Sequence, residues 1–381
     1  MAPDAGFYFD DLDEDTPSIQ DSRARAIRRR RNVFRSHPAP TKPMGRVPSA
    51  WCIGSGMQQL LEPELAPFAN WLEFGEDNRD RFRWALRDSL DELLDGQRTG
   101  RWAYQHLSKT EKTYLGTAVE VNLTKEFEIA NGMDLDWSVD GRDIDCKFSK
   151  DMGGWEIPME MYLCSDHGDR QGQADQPALL TWMNDDSSEW AAGLITITDE
   201  RLRRRAKLVD GRRVRAYNRD NKRQLSDTVA GEVYWLWGGR QTDLPRNHLL
   251  HLAPDARSRV FSFAKSGQKR VDQLFREVQG QLVGRRTILT VAQQDDAPKR
   301  VRDARIKLRP EGILILGHQE SHPHAARGLG LPVPVKGEWV AVRVVPVSEA
   351  DTRSFIELDG ERWARAQPGE PVVAAPALPK R

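Results

Sequence analysis

The chain has 381 residues, 39% of them hydrophobic and 30% charged, with a formal net charge of zero. At roughly 100–200 residues per domain, that length predicts two or three domains with ample material for a core. No run approaches the roughly 18 apolar residues of a membrane span, and the opening MAPDAGFYFDDLDED is acidic where a secretory signal would be apolar. Cys52, Cys146 and Cys164 make neither a disulfide framework nor a CxxC pair. Integral membrane, disulfide-scaffold and zinc-ribbon classes are therefore excluded, and a reducing cytoplasm is the expected location.

The zero net charge conceals a sorting of charge along the chain. Residues 1–21 carry seven acids and no base, and residues 22–46 carry nine bases and no acid. Residues 51–150 hold 19 acids against 12 bases. Residues 201–223 hold 11 bases against two acids, and residues 265–309 hold 12 against five. Such blocks suit a polyanionic partner reached by some segments and not by others, although any one charge run can be plain solvated surface.

Residues 1–50 read as a disordered charged tail. SHPAPTKPMGRVPSA is rich in Pro and Ser, and few large apolar residues are available to hold it. Within it, RARAIRRRRNVFR suits a solvated arm or a basic helix on an anionic surface. A first domain is expected over 51–230. The spacing of Phe82, Leu86, Leu90 and Leu93/Leu94 predicts a helix over Asn78–Leu94, with Gly96 as its stop. Ser108 followed by Glu111 fits a capping box opening a second helix to Phe127, with a break near Gly116 as an alternative. Leu115, Val119, Leu123 and Phe127 would line one face, with Glu120 beside that stripe.

LDWSV (135–139) and RDIDCKFS (142–149), joined through Gly141, predict a β-hairpin. AAGLITIT (191–198) reads as a strand, and 201–223 as a basic connector or exposed helix. A second domain is expected over 240–370, its elements starting near Asn247. QKRVDQLFREVQGQLVG (268–284) predicts an amphipathic helix. RRTILTVAQQDD (285–296) and a basic helix over APKRVRDARIKL (297–308) follow, then strands in PEGILILGH and WVAVRVVPV. Helix, helix, turn, basic helix and strands describe a winged helix-turn-helix. The fold class is thus α/β, a nuclease-type domain followed by a winged-helix-like domain that binds DNA.

The nuclease element of that expectation rests on Glu120, Asp136, Asp145 and Lys147. Alternate strand residues share a face, so Asp143, Asp145 and Lys147 would project together while Cys146 points to the opposite side. If Asp136 sits on the partner strand, its carboxylate approaches Asp145, and Glu120 can join from the preceding helix. Carboxylates bind Mg²⁺, a hard cation, which polarises a scissile phosphate and activates water. A lysine beside them stabilises developing negative charge. This is the acid, gap, acid-x-Lys pattern of the PD-(D/E)xK nucleases. Alone it is weak, because D-x-K is common by chance, but the alternation in I-D-C-K-F would concentrate the charges on one face.

No phosphate loop GxxxxGK[ST] and no GxGxxG after a strand is present, so no nucleotide cofactor is expected. His318, His322 and His324 suit a loop better than a metal site, and the twelve tryptophans suit a core better than a base-stacking platform. In the second domain Lys299, Arg300, Arg302 and Arg305 of the basic helix would reach DNA. Arginine pairs bidentately with guanine, which favours a G-rich site. Gln293 and Gln294 just before the helix could reach an adenine or a phosphate.

The sequence resembles the NaeI family of type II restriction endonucleases. The resemblance is carried by LRDSLDELLDGQRTGRW (86–102), KTEKTYLGTAVEVNL (109–123), DCKFS (145–149), QLVGRRTILTVAQQDD (281–296), LRPEGILILGHQ (308–319) and LGLPVPVKG (329–337), in that order over roughly 78–375. It implies an N-terminal endonuclease domain, a winged-helix-like C-terminal domain that also binds DNA, and a homodimer. It implies Mg²⁺-dependent cleavage of double-stranded DNA at GCCGGC, with a second DNA copy as activating effector. The family's Glu, Asp and Asp-Cys-Lys fall on Glu120, Asp136, Asp145, Cys146 and Lys147. The segment before about 78, the polar stretch Cys164–Pro177 and a longer, more basic 200–247 depart from the pattern. The alternative is a sequence-specific DNA-binding regulator with an inactive nuclease domain, against which the complete acid and lysine set argues.

Overall fold

The computed structural model describes residues 33–54, 60–163, 174–209, 211–319 and 321–378. The arginine run 23–32, Cys164 and most of the polar stretch after it lie outside the described residues. The chain divides into two compact units. One comprises His37–Asp95 and Arg101–Ser258; the other comprises Arg259–Arg381 with the short pieces Gly96–Gly100 and, among the described residues, 33–36.

In the first unit, α1 (Ala66–Glu73) and α2 (Asn78–Leu94) open a helical layer. The expected span of α2 is met. Phe82, Leu86, Leu90 and Leu94 recur at four-residue steps and are buried, as one stripe of a 3.6-residue repeat requires. The stop differs from expectation. Asp95 takes the left-handed conformation (φ 44°), and Gly96 opens a further short helix, α3 (Gly96–Thr99). α4 (Lys109–Phe127) starts on the expected capping box: Ser108 Oγ accepts from the Glu111 amide at 3.3 Å, and Glu111 Oε2 accepts from the Ser108 amide at 2.8 Å. The helix runs through Gly116 without a break.

The expected hairpin forms from β2 (Trp137–Val139) and β3 (Arg142–Ser149), antiparallel, with Trp137 opposite Ile144. With β1 (Ala130–Asn131), β5 (Gln176–Asn184), β6 (Glu189–Ile197) and β10 (Tyr234–Trp235) they make a six-stranded sheet in the order β1-β2-β3-β5-β6-β10. The β3–β5 pair is parallel, which places β3 inside the sheet. A small pair, β4 (Glu156–Ile157) with β9 (Arg223–Gln224), flanks it. Ile144, Cys146, Leu179 and Leu194 pack into one cluster with Phe82, Leu86, Leu115 and Val119 of the helices. Ala178, Leu180, Trp182 and Ile195 pack into another with Trp51, Trp155 and Tyr162. The sheet is therefore buried on both faces, and seven tryptophans of this unit (Trp51, Trp102, Trp137, Trp155, Trp182, Trp190 and Trp235) are core.

Three expectations change in this unit. Residues 37–50 are no free tail. Met44 is buried, its amide donates to Asp186 Oδ2 at 2.5 Å, and the His37 ring stacks on His106 at 4.8 Å. The basic connector 201–223 is no helix; β7 (Arg204–Val209) and β8 (Arg212–Arg215) form a separate antiparallel ribbon. The unit also extends past 230, through α5 (His248–His251), to Ser258 inside α6 (Pro254–Phe261).

In the second unit α7 (Gly267–Glu277), α8 (Arg285–Ala292) and α9 (Ala297–Leu308) bury Val271, Leu274, Phe275, Ile288, Val291, Val301 and Leu308. The single helix expected over 268–284 ends at Glu277. Its last part becomes β11 (Leu282–Gly284), because Leu282–Gly284 pair with Val340–Glu338 of β13 (Glu338–Val347). β13 also pairs with β12 (Ile313–Leu316) and β15 (Glu361–Arg365), and β15 with β14 (Phe355–Leu358). The histidine-rich segment is a loop only at its start, where His318 lies in a bend. It forms α10 (His322–Gly328), and buried His322 accepts from the Gly317 amide through Nδ1 at 3.0 Å.

Candidate active site

Asp145 and Lys147 alternate with Cys146 along β3, so the strand's two-residue period sends them to opposite faces. Cys146 lies in the helix-side cluster. Asp145 and Lys147 stand opposite Ala178 and Leu180, which belong to the other face. Burial pushes the Cys146 thiol up, and Asp136, Asp145 and Glu120 add to it, so this cysteine is an inert packing group rather than a nucleophile.

Asp136 lies one residue before β2, and continuing the Trp137–Ile144 register places it opposite Asp145. Its Oδ2 accepts from the Cys146 amide at 2.8 Å, which ties the carboxylate to the backbone of β3. Glu120 is half-buried on α4. The helix is held to the hairpin one turn later, where Trp137 Nε1 donates to Thr124 Oγ1 at 2.8 Å and Thr124 Oγ1 donates to the Glu120 carbonyl at 2.8 Å. The Lys147 ammonium lies in ion-pair contact with Asp145 Oδ2.

The electrostatics follow from this packing. Asp145 is only 6% exposed. Burial pushes its carboxyl up to about 7 against the opposing pull of Lys147, and neighbouring Asp136 raises it further. Glu120 is raised by burial and then by Asp136, with Lys147 again opposing. Carboxylates that hinder one another's ionisation are the arrangement a cation relieves. Among the described residues no three His, Cys, Asp or Glu side chains are gathered tightly enough to hold an ion as they stand. The donor chemistry nonetheless fits: the three groups offer hard oxygen ligands of the kind Mg²⁺ prefers, in a poorly solvated place.

Asp143 was expected to share the face of Asp145, and it has another task. Its Oδ2 accepts from the amides of Met133, Asp134 and Leu135 at 2.7, 2.7 and 3.3 Å. These bonds, that from Asp134 foremost, hold its carboxyl below the usual range. Asp143 thus fixes the turn that delivers Asp136. The sequence signal was the i, i−2 spacing to Asp145, which shows a shared face but not a backbone partner.

The residues expected to reach DNA divide sharply. Lys299 and Arg302 are exposed on α9, with Ile306 71% exposed on the next turn. Arg300 is half-buried and bonded to Asp296 at 3.2 Å. Arg305 Nε donates to the Ile315 carbonyl at 2.8 Å, and burial, with Arg302 adding, lowers its pKa. Gln293 is 2% exposed and is a correction. It takes the left-handed position that ends α8 (φ 50°), accepts from the Arg35 amide at 2.8 Å and donates to the Arg35 carbonyl at 2.6 Å. It clamps the chain's own backbone and is turned away from solvent. Gln294 is half-buried, and its Oε1 is enclosed without a partner among the described residues.

A family profile described as "Restriction endonuclease NaeI" matches residues 72–374. The "Type II restriction enzyme NaeI" of Lentzea aerocolonigenes is 45% identical over 312 residues, covering 79% of this chain and 90% of that protein. The chain belongs to the restriction endonuclease NaeI family. It is thereby a homologue of a type II site-specific deoxyribonuclease. All four residues of the carboxylate and lysine cluster fall inside the matched span, as do α8 and α9. Residues 1–71 precede it.

Proposed function

We propose that this protein is a type II restriction endonuclease that cuts duplex DNA at a GC-rich palindrome, GCCGGC, with Mg²⁺ as its cofactor. The observation that supports the reading is the Lys147–Asp145 ion pair on β3, with Asp136 tied to the same strand through the Cys146 amide and with Asp136 raising the carboxyls of both Asp145 and Glu120. Family membership supports the reaction class.

Glu120, Asp136 and Asp145 would hold the cation. When bound, a divalent cation supplies charge neutralisation at the phosphate and a more acidic water. The chain's own residues do the rest. The Asp136–Cys146 bond keeps one carboxylate in register with β3, so the donor set is built on a central strand. Lys147 orients the attacking water and offsets the charge that builds on the phosphorus oxygens. Water adds in line with the 3′-oxygen, the P–O3′ bond breaks, and a 5′-phosphate and a 3′-hydroxyl result.

Two active sites related by a twofold axis would match a palindrome, one for each strand, so the working form is a homodimer. The unit containing α7–α9 and the β12–β15 strands has the element order of a winged helix-turn-helix. In it Lys299 and Arg302 are exposed bases of the helix that would enter the major groove. This unit would take the second, activating DNA copy, and occupancy of the two DNA sites would be reciprocally linked.

The test is digestion of a plasmid carrying several GCCGGC sites, with Mg²⁺ and separately with EDTA. Discrete fragments ending at those sites only with Mg²⁺ are expected. Fragments ending elsewhere would remove the target and keep the nuclease. Asp145→Ala should lose cleavage by a factor of at least about 10³ and keep DNA binding; cleavage at the wild-type rate would overturn the assigned site.

A further inference from the structure

Among the described residues, no side chain of the β7–β8 ribbon is buried. The ribbon is a two-stranded sheet of its own, paired to neither large sheet. Arg204, Arg205, Ala206, Lys207 and Leu208 are all exposed, Leu208 at 55%. An isolated two-stranded hairpin is marginal in water because it buries no core. Residues 203–215 carry seven bases and one acid, Asp210, which lies outside the described residues.

Among the described residues, the charge is neutralised at the base only. Asp199 takes Arg204 at 2.6 Å and Arg215 at 2.9 Å, the two residues that face each other across the strands, and it also pairs with Arg223. That shared carboxylate removes a cross-strand repulsion where the ribbon leaves the body of the unit. Further out, the side chains of Arg205, Lys207 and Arg213 make no hydrogen bond or ion pair among the described residues. Leu208 faces Arg213, and the register shifts between Arg204 and Leu208, which twists the ribbon as bulges do. A twisted, two-stranded, cationic ribbon has the width a DNA major groove admits. Its cations are long and flexible, suited to phosphates on the rims of that groove.

We propose that the β7–β8 ribbon is a DNA-contacting element of the catalytic unit, in which Arg205, Lys207 and Arg213 bind the phosphate backbone of the duplex without reading its sequence. This rests on the reading of the protein as a nuclease acting on duplex DNA.

The experiment measures the affinity of the full-length wild type and of a variant with Arg205→Gln, Lys207→Gln and Arg213→Gln for a 30-base-pair duplex. Salt is varied, and a cognate and a scrambled duplex are compared. Each lost phosphate contact reduces the slope of log K against log salt by about 0.9, so a reduction near 3 is expected. The dissociation constants for both duplexes should rise by the same factor. Arg205→Lys with Arg213→Lys should retain the wild-type slope. On the wild type itself, bound duplex should protect Lys207 from acetylation, a readout independent of how any variant folds. An unchanged slope, a loss confined to the cognate duplex, or an unprotected Lys207 in DNA-bound enzyme overturns the ribbon proposal and leaves the nuclease reading standing. A wild type that binds neither duplex overturns both.

Discussion

At the scale of single residues, Asp145 carries a measurable consequence. In the metal-free protein its carboxyl titrates near 7, above the ordinary value of 3.8, chiefly because it is buried. A carboxyl whose folded-state pKa is raised favours folding while it stays protonated. Its contribution is therefore fully present below about pH 4. It declines as pH rises through about 7, because the folded state must then ionise a desolvated group. Asp145→Asn abolishes that decline. In EDTA, the stability of the variant relative to wild type should rise between pH 4 and pH 7, as urea melts at several pH values will report; a constant difference would mean that Lys147 fully compensates the charge. Asp143 acts at one remove, as a positioning residue. Asp143→Ala frees three backbone amides and with them the turn before Asp136. Cleavage should fall about 10–100-fold with the overall fold retained, and raised Mg²⁺ should recover part of it; full activity would show that the turn holds itself.

The elements show where charge has been buried for structure. Arg87 on α2 is 3% exposed and pairs with Asp185, itself 1% exposed, and with Asp91, at 2.5 and 2.6 Å. Asn247 donates to the other Asp185 oxygen at 2.8 Å. Burial alone would depress the Arg87 pKa, but the two carboxylates raise it above the ordinary value. Asp185→Ala would leave the guanidinium short of a partner in the core and should cost about 3–5 kcal/mol, read as a drop in the denaturation midpoint. A loss under 1 kcal/mol would mean that Asp91 suffices alone. Elements with strong periodicity were legible from residues alone: α2, α4, α9, the β2–β3 hairpin and β13 stand where their patterns place them. The alternation that sets Asp145 and Lys147 on one face of β3 was legible as a local signal, whereas the reading of Glu120, Asp136, Asp145 and Lys147 as one site leaned on the family resemblance. The failures were of another kind. Leu282 fits a helical stripe, and only β13 makes it a strand. Gln293 is polar and sits before a basic helix, and only a segment 258 positions away explains why it is buried. The arginine-rich 203–215 carries little apolar alternation, so nothing in its own composition announced a ribbon.

The whole molecule repeats this lesson in its connectivity. The second unit holds residues 33–36 and Gly96–Gly100 beside Arg259–Arg381. The clamp is specific: both polar atoms of the Gln293 amide bond the Arg35 backbone, the Phe34 ring lies 4.4 Å from the Arg270 guanidinium, and Gln97 bonds Asp295. Gln293→Ala should weaken this unit by about 1–3 kcal/mol, seen as faster amide exchange at residues 33–36; unchanged exchange would mean that Phe34 alone holds the segment.

The chain passes between the units four times, at 36/37, 95/96, 100/101 and 258/259. For anyone recombining such genes, the natural seam before residue 259 is therefore misleading. A chimera that exchanges only 259–381 for a relative's sequence inherits a foreign socket for two native plugs, and a gene cut at that point yields halves that each lack part of a hydrophobic or polar partner. Inheritance of the second unit as a working module requires three stretches of sequence to travel together. Substitutions in GQRTG are accordingly answerable to residues near 293, not to their neighbours in α2.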